Sequence, residues 1–303
     1  MDTPLVATDW LAGHLGEADL VVADVRWVIG QPAAGRGAYA QAHLPGAVFL
    51  DLDTELSDLS KPRQGRHPLP EPGDLAATLA RAGIGRGTRV VAYDDQGGSI
   101  AGRLWWLLRW LDAEASGTRC AILDGGLTKW VAEGRPVEGA AAPGTAVPGA
   151  RPALRRPHPA PLPAVTRPEL TVDASLVARA GEAGLVLLDA RAPERYRGEA
   201  EPIDARAGHI PGAVSAWWGE NVTAGETPVF KSPAELRARF AALGVTDGSR
   251  AISYCGSGVT GAHNLLALEL AGLRGARLYP GSWSGWVALH PDAGSPPPAP
   301  ASA

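Results

Sequence analysis

Cys255 stands in Ser253-Tyr254-Cys255-Gly256-Ser257-Gly258-Val259-Thr260, between a short apolar run and an apolar helical pattern. That order places a sulfur where a strand ends and a helix begins. Loop amides and the positive end of a helix converge there on an anion, and the thiolate is the reactive form of cysteine. The pattern predicts a cradled nucleophile for covalent catalysis. Gly256 and Gly258 permit close backbone approach and positive φ in such a cradle. Ser257 offers a hydroxyl as a helix cap. Thr260 reads as a cap or a loop hydrogen bond, and Gly256, Gly258, Val259 and Thr260 are expected to line the substrate-binding loop. The second cysteine, Cys120, lies in the apolar run Arg119-Cys120-Ala121-Ile122-Leu123 and reads as a buried strand residue.

A nucleophile needs a frame, and the chain writes its frame twice. Leu20–Arg26 resembles Val186–Arg191, and His43-Leu44-Pro45-Gly46 resembles His209-Ile210-Pro211-Gly212. Thr88–Asp94 resembles Ser249–Cys255, so Asp94 occupies the place of Cys255 in the first copy. Leu123-Asp124-Gly125-Gly126 with Trp130 resembles Leu278-Tyr279-Pro280-Gly281 with Trp286. The spacing between copies drifts slowly, as loop-length changes produce.

The expected layout is a first copy over 1–135, a Pro/Ala/Gly-rich linker over 136–163, a second copy over 164–293 and a disordered tail over 294–303. In each copy, short apolar runs alternate with helical patterns. Val21–Asp24, Val90–Tyr93, Ala121–Leu123, Leu185–Asp189, Ala251–Tyr254 and Ala276–Tyr279 read as strands. Asp74–Ala82, Leu104–Leu111, Ala234–Leu243 and Ala262–Ala271 read as helices. Such alternation predicts an α/β fold, each copy a parallel sheet with helices on both faces. Ligands then sit beyond the carboxyl ends of the strands, where Cys255 lies.

Composition narrows the function class. The 303 residues are 45% hydrophobic and 20% charged, with a net charge of −4. Nothing suggests nucleic acid or an acidic membrane as a partner, and no apolar run reaches transmembrane length. The start, Met1-Asp2-Thr3-Pro4, lacks the order of a signal peptide. With only two cysteines, the chain is expected to work in a reducing cytoplasm. No metal or cofactor is expected: His and Cys do not cluster at ligand spacing, and no Gly-rich loop carries the phosphate-binding Lys.

The repeated domain and its single cysteine loop resemble the rhodanese-type sulfurtransferases. The segment Cys255–Thr260 closely resembles the loop of 3-mercaptopyruvate sulfurtransferases. The resemblance implies two tandem rhodanese-like domains, the first silent because a carboxylate at Asp94 cannot carry a sulfur. It implies that Cys255 takes sulfur from 3-mercaptopyruvate as a persulfide, releases pyruvate, and passes the sulfur to a thiol, a thioredoxin-like protein, or cyanide. It also implies that Asp53 and His67 form a relay with Ser257, since a histidine can move the proton that the pyruvate enolate needs. Arg197 is expected to grip the donor carboxylate, a task that suits a guanidinium fork. The second arginine of mercaptopyruvate enzymes aligns with Ile203 and is missing, with Arg206 nearby as a substitute. The structural alternatives are a surface salt bridge for Arg197 and turn or capping roles for His67 and Asp53.

His43, His209, Asp24-Val25-Arg26 and Asp189-Ala190-Arg191 recur in both copies and so read as structural. Trp105, Trp106 and Trp110 follow helical spacing and read as core or domain interface. Asp94, Asp95 and Arg103 suggest an ion pair in the silent loop. The nearest rival activity is thiosulfate sulfur transfer, although such enzymes tend to carry Arg-Lys after the cysteine where this chain has Gly256-Ser257. A phosphatase would need an arginine at position 261, which is Gly261. A sulfur carrier or regulatory binding module without turnover is a third reading.

Overall fold

The computed structural model describes residues 3–140 and 159–291. The tail over 294–303 and most of the linker lie outside the described residues. The chain divides into two compact units that exchange short segments. Unit 1 comprises Met1–Asp58, Pro70–Arg167 and Thr223–Phe230, and unit 2 comprises Leu59–Leu69, Pro168–Val222 and Lys231–Ala303. The segment Leu59–Leu69, within the first sequence copy, thus folds with the second.

Unit 1 runs β1 (Leu5–Val6), α1 (Thr8–His14), β2 (Leu20–Asp24), α2 (Ala34–Gln41), β3 (Val48–Phe49), α3 (Pro72–Arg81), β4 (Arg89–Tyr93), α4 (Ala101–Trp110), β5 (Arg119–Leu123) and α5 (Gly126–Ala132). Its sheet has the order β1-β5-β4-β2-β3, parallel throughout. Parallel neighbours cannot be joined by hairpins, so helices make the crossovers. Every residue of β2 is buried, which is why that strand is a continuous apolar run rather than an alternating one. Helix α4 is buried almost all round, including Trp105, Trp106 and Trp110.

Unit 2 runs α6 (Ala174–Ala178), β6 (Val186–Asp189), α7 (Pro193–Arg197), β7 (Ala213–Ser215), α8 (Pro233–Ala242), β8 (Ala251–Tyr254), α9 (Thr260–Leu270), β9 (Arg277–Leu278) and α10 (Ser282–Leu289). Its parallel sheet has the order β7-β6-β8-β9. A lone parallel bridge from Thr171 to Leu278 stands where β1 pairs with β5 in unit 1. Ser232 and Glu235 form a reciprocal capping box at the start of α8.

The six strands expected from the sequence are present, with ends shifted by a residue or two. The edge strands β1, β3 and β7 are too short to show a pattern. Each sheet packs on its own buried cluster, with Val22, Tyr93 and Trp130 in one and Leu187, Tyr254 and Trp283 in the other.

The motifs that recur in both copies do the same structural job twice. Asp24 accepts from Arg26 and from Tyr93 Oη, and Arg26 reaches on to the Ala42 carbonyl at 2.6 Å. Asp189 and Arg191 repeat this, with Arg191 donating to Gly208 O at 2.6 Å. Each arginine thereby fixes the chain just before the His-Leu/Ile-Pro-Gly turn. His43 and His209 stack on Tyr39 and Tyr196, and the Nδ1 of each lies 2.8 Å from that tyrosine's carbonyl oxygen.

Candidate active site

Cys255 directly follows the carboxyl end of β8, and its side chain is buried. Two backbone amides point at its sulfur, Ser257 N at 3.4 Å and Gly258 N at 3.1 Å. The turn requires glycine at 258. Its φ is +80°, and a Cβ there would sit 2.6 Å from the Pro280 carbonyl oxygen. Such amides stabilise negative charge on the sulfur and on a second sulfur attached to it.

The start of α10 holds the loop from the other side. Cys255 N donates to Ser282 Oγ at 3.1 Å, while Trp283 N donates to Cys255 O at 2.9 Å and Ser284 N to Gly256 O at 3.0 Å. Ser282 does this from the left-handed region, with φ 52°. That costs a non-glycine residue about 1 kcal/mol or more, and the buried hydroxyl that caps the cysteine amide offsets it.

His67 completes the arrangement. Its Nδ1 lies 2.7 Å from Ser257 Oγ, with both side chains buried. The segment Leu59–Leu69 brings it there. Gly65 has φ 108° and no room for a Cβ, because Gly281 O would lie 2.6 Å away. Arg66 N donates to Ser284 Oγ at 3.0 Å. Asp53 belongs to unit 1, where it accepts a hydrogen bond from Trp27 Nε1 at 2.9 Å.

Arg197 is half exposed and forks onto Glu199, with both contacts at 2.7 Å. Two positions apart on α7, Arg195 and Arg197 face different ways. Arg195 is the inward one. Its Nη2 donates to Glu201 Oε1 at 2.6 Å and to Asp204 Oδ2 at 3.0 Å. Arg66 Nη1 pairs with the other oxygen of Asp204. Burial, the largest influence, pushes the Asp204 carboxyl up, against the pull of Arg66 and Arg195. Arg206 lies over the Trp283 ring, 5.6 Å from its centroid. Val259 is buried and serves as the cap residue of α9 without a side-chain bond, and Thr260 is the first helical residue. At Gly261, where a phosphatase would carry its arginine, a Cβ would lie 3.0 Å from Leu278 Cδ1 and 3.3 Å from the Tyr254 backbone, a tight site.

Among the described residues, no group of three or more His, Cys, Asp or Glu could hold a metal ion, and no helix is long and apolar enough to cross a membrane.

The model of the rhodanese-like domain matches residues 7–133 and again residues 173–289. The chain belongs to the rhodanese family. A Pseudomonas aeruginosa protein named as a probable 3-mercaptopyruvate sulfurtransferase is 43% identical over 93% of this chain and 94% of its own length. SseB of Mycobacterium tuberculosis, whose name is that of a thiosulfate sulfurtransferase, is 40% identical over 93% of each chain. The crystal structure of SseA from Escherichia coli, a 3-mercaptopyruvate sulfotransferase, superposes with a TM-score of 0.76 at 31% identity, covering 93% of this chain and 99% of that one. The two relatives carry different donors in their names at nearly equal identity, so similarity alone does not select the donor.

The two rhodanese loops of the chain are variations on one anion site. In unit 1 the anion is built in. Asp94 Oδ1 accepts from Gln96 N and Gly98 N, and Oδ2 from Ile100 N and Ala101 N, all between 2.8 and 2.9 Å. Leu127 N caps Asp94 O at 2.9 Å just as Trp283 N caps Cys255 O. Gly126 holds φ 54° where unit 2 has Ser282 at 52°.

Sequence reading missed Arg66, Arg195, Asp204 and Ser282. Only Ser282 left a signal, since it aligns with a left-handed glycine of the first copy. The other three meet through a segment exchange that no local pattern announces.

Proposed function

We propose that this protein is a sulfurtransferase that moves a sulfane sulfur from 3-mercaptopyruvate through a Cys255 persulfide to a thiol or cyanide. The Cys255 thiolate attacks the donor sulfur and forms an S–S bond. The donor C–S bond breaks, and its electron pair stays on carbon as the pyruvate enolate. That carbon takes a proton, and pyruvate leaves. An acceptor thiolate or cyanide then attacks the outer sulfur and expels Cys255 as thiolate. The cycle has two half-reactions, so ping-pong kinetics follow.

One observation carries this reading: the Cys255 sulfur receives two loop amides while the neighbouring Ser257 hydroxyl is bonded to buried His67. The amides hold the charge of thiolate and persulfide. The Ser257–His67 pair supplies a proton path for the enolate carbon, which thiosulfate would not need. The acceptor in this reading is a small thiol, cyanide or the cysteine of a thioredoxin-like protein. The family match over both domains supports the reaction class.

A second donor, thiosulfate, is favoured by two guanidinia near the loop, those of Arg66 and Arg195. Asp204 and Glu201 balance their charge, which suits a monoanion better than a dianion. The test is kcat/KM for each donor with cyanide as acceptor. We expect 3-mercaptopyruvate to win by at least about tenfold, a difference of about 1.4 kcal/mol. A thiosulfate preference of that size would replace the donor and keep the persulfide. The absence of turnover with both would end the sulfurtransferase reading.

A further inference from the structure

The loop after Cys255 has no charged side chain of its own, yet cations stand over it. Arg66 Nη2 lies 2.8 Å from the point a Cβ of Gly256 would occupy, and Arg195 Nη1 and Nη2 lie 3.6 and 3.7 Å from the same point. Glycine at 256 leaves them the space. One buried carboxylate aligns both guanidinia, since Asp204 takes Arg66 Nη1 on Oδ1 and Arg195 Nη2 on Oδ2. Glu201 holds Arg195 a second time.

Asp204 uses only Nη1 of Arg66. The Nε–Nη2 edge is left over, and it can take a carboxylate bidentately. Here Nη2 is the atom over Gly256, and Nε is buried with no hydrogen-bond partner among the described residues. A buried N–H left unbonded is costly and points to an acceptor.

We propose that Arg66 is a donor-binding residue of this site: its Nε–Nη2 edge grips the carboxylate of the sulfur donor beside Gly256, with Arg195 as the second half of the clamp. The proposal rests on the sulfurtransferase reading and names the group that recognises the donor. It also accounts for Ile203. The cation that resemblance places at 203 comes instead from the segment that carries His67, so one short segment both orients the donor and holds the partner of Ser257.

The test uses the full chain, with Arg66→Ala and Arg66→Lys. KM for 3-mercaptopyruvate should rise about tenfold to a hundredfold in Arg66→Ala, the cost of a lost charge-assisted bond. The value of kcat should stay within about threefold, because the sulfur and its amides are untouched. Arg66→Lys should fall between, having charge without the fork. A second readout is independent of turnover. Cys255 is alkylated with iodoacetate, a carboxylate, and with neutral iodoacetamide. The iodoacetate/iodoacetamide rate ratio should drop about tenfold in Arg66→Ala while the iodoacetamide rate holds.

An unchanged KM together with an unchanged ratio in a folded variant overturns the proposal. Where Arg66→Ala does not fold because Asp204 is left buried without its partner, Arg66→Gln with Asp204→Asn removes both charges together, and the same loss of carboxylate preference is expected. If the unaltered protein forms no persulfide with any donor, the sulfurtransferase reading falls, and the alkylation ratio still decides the role of Arg66.

Discussion

Ser257 Oγ and His67 Nδ1 lie 2.7 Å apart although 190 positions separate them in the chain. The pair exists because Leu59–Leu69 folds with unit 2. A buried serine–histidine bond beside a cradled sulfur can move a proton without exposing the sulfur to solvent. Asparagine at 67 can keep a hydrogen-bonding atom near the Nδ1 position but cannot carry a proton. His67→Asn should therefore lower kcat for pyruvate release about a hundredfold, while iodoacetamide alkylates Cys255 at a rate within about threefold of the original. Rapid-quench measurement of pyruvate separates the two. An unchanged kcat would remove His67 from the chemistry.

Gly258→Ala should damage the cradle itself. A side chain at φ +80° costs about 1–3 kcal/mol, and the Pro280 carbonyl 2.6 Å from the new Cβ is backbone that cannot swing away. Thermal unfolding and Cys255 alkylation should both deteriorate. Gly256→Ala differs, because the atom it meets is the tip of the Arg66 side chain. That variant should fold and show its defect in KM for the donor. Equal melting temperatures for the two variants would contradict this distinction.

Asp94 holds four backbone amides in unit 1. Asp94→Ala leaves them without their acceptor and should destabilise the protein by about 3 kcal/mol or more. Asp94→Asn, which keeps one oxygen, should cost less. Neither should change the fraction of Cys255 that accepts sulfur in folded protein. Calorimetry gives the first quantity and intact mass the second.

Arg197→Ala should leave KM for the donor within about twofold. Its fork to Glu199 is exposed, and such pairs contribute little. Arg195→Ala should raise KM at least tenfold, since it strips a cation from Glu201 and Asp204 beside the loop. Steady-state kinetics of the two variants check the assignment, and the reverse order would restore Arg197.

Asp204 sets the charge that a donor meets. Asp204→Asn should raise the thiosulfate/3-mercaptopyruvate ratio of kcat/KM, because removing a negative charge favours the dianion more. Burial pushes the Asp204 carboxyl up, so on acidification it protonates before an ordinary carboxylate does. Protonation has the same sign as the substitution, and the ratio should climb as pH falls in the unaltered protein. In Asp204→Asn that climb should be reduced. A pH-independent ratio in the unaltered protein would contradict the role of Asp204.

Much of this was legible in the sequence because the relevant signals are local. Val90–Tyr93 and Ala251–Tyr254 are short apolar runs that end at Asp94 and Cys255, and buried parallel strands require that pattern. Gly258 announces a left-handed turn by its type. The Asp-x-Arg and His-Leu/Ile-Pro-Gly motifs recur in both copies, and both copies put them to structural use. Arg66, Arg195 and Asp204 were illegible because they are placed by contacts that no local pattern announces. A surface arginine and a clamp arginine look alike until long-range contacts choose between them. Arg195 and Arg197 sit on one short helix, and only the carboxylates of Glu201 and Asp204 distinguish them. The segment exchange hid Arg66, as sequence order assigns it to the first copy.

The central claim is that Cys255 carries the sulfur. The most direct measurement is the intact mass of the protein after 3-mercaptopyruvate is added without acceptor, beside Cys255→Ser. The account predicts a gain of one sulfur atom, located at Cys255, released by cyanide and absent from the variant. No gain in the unaltered protein, or an equal gain in Cys255→Ser, would contradict it.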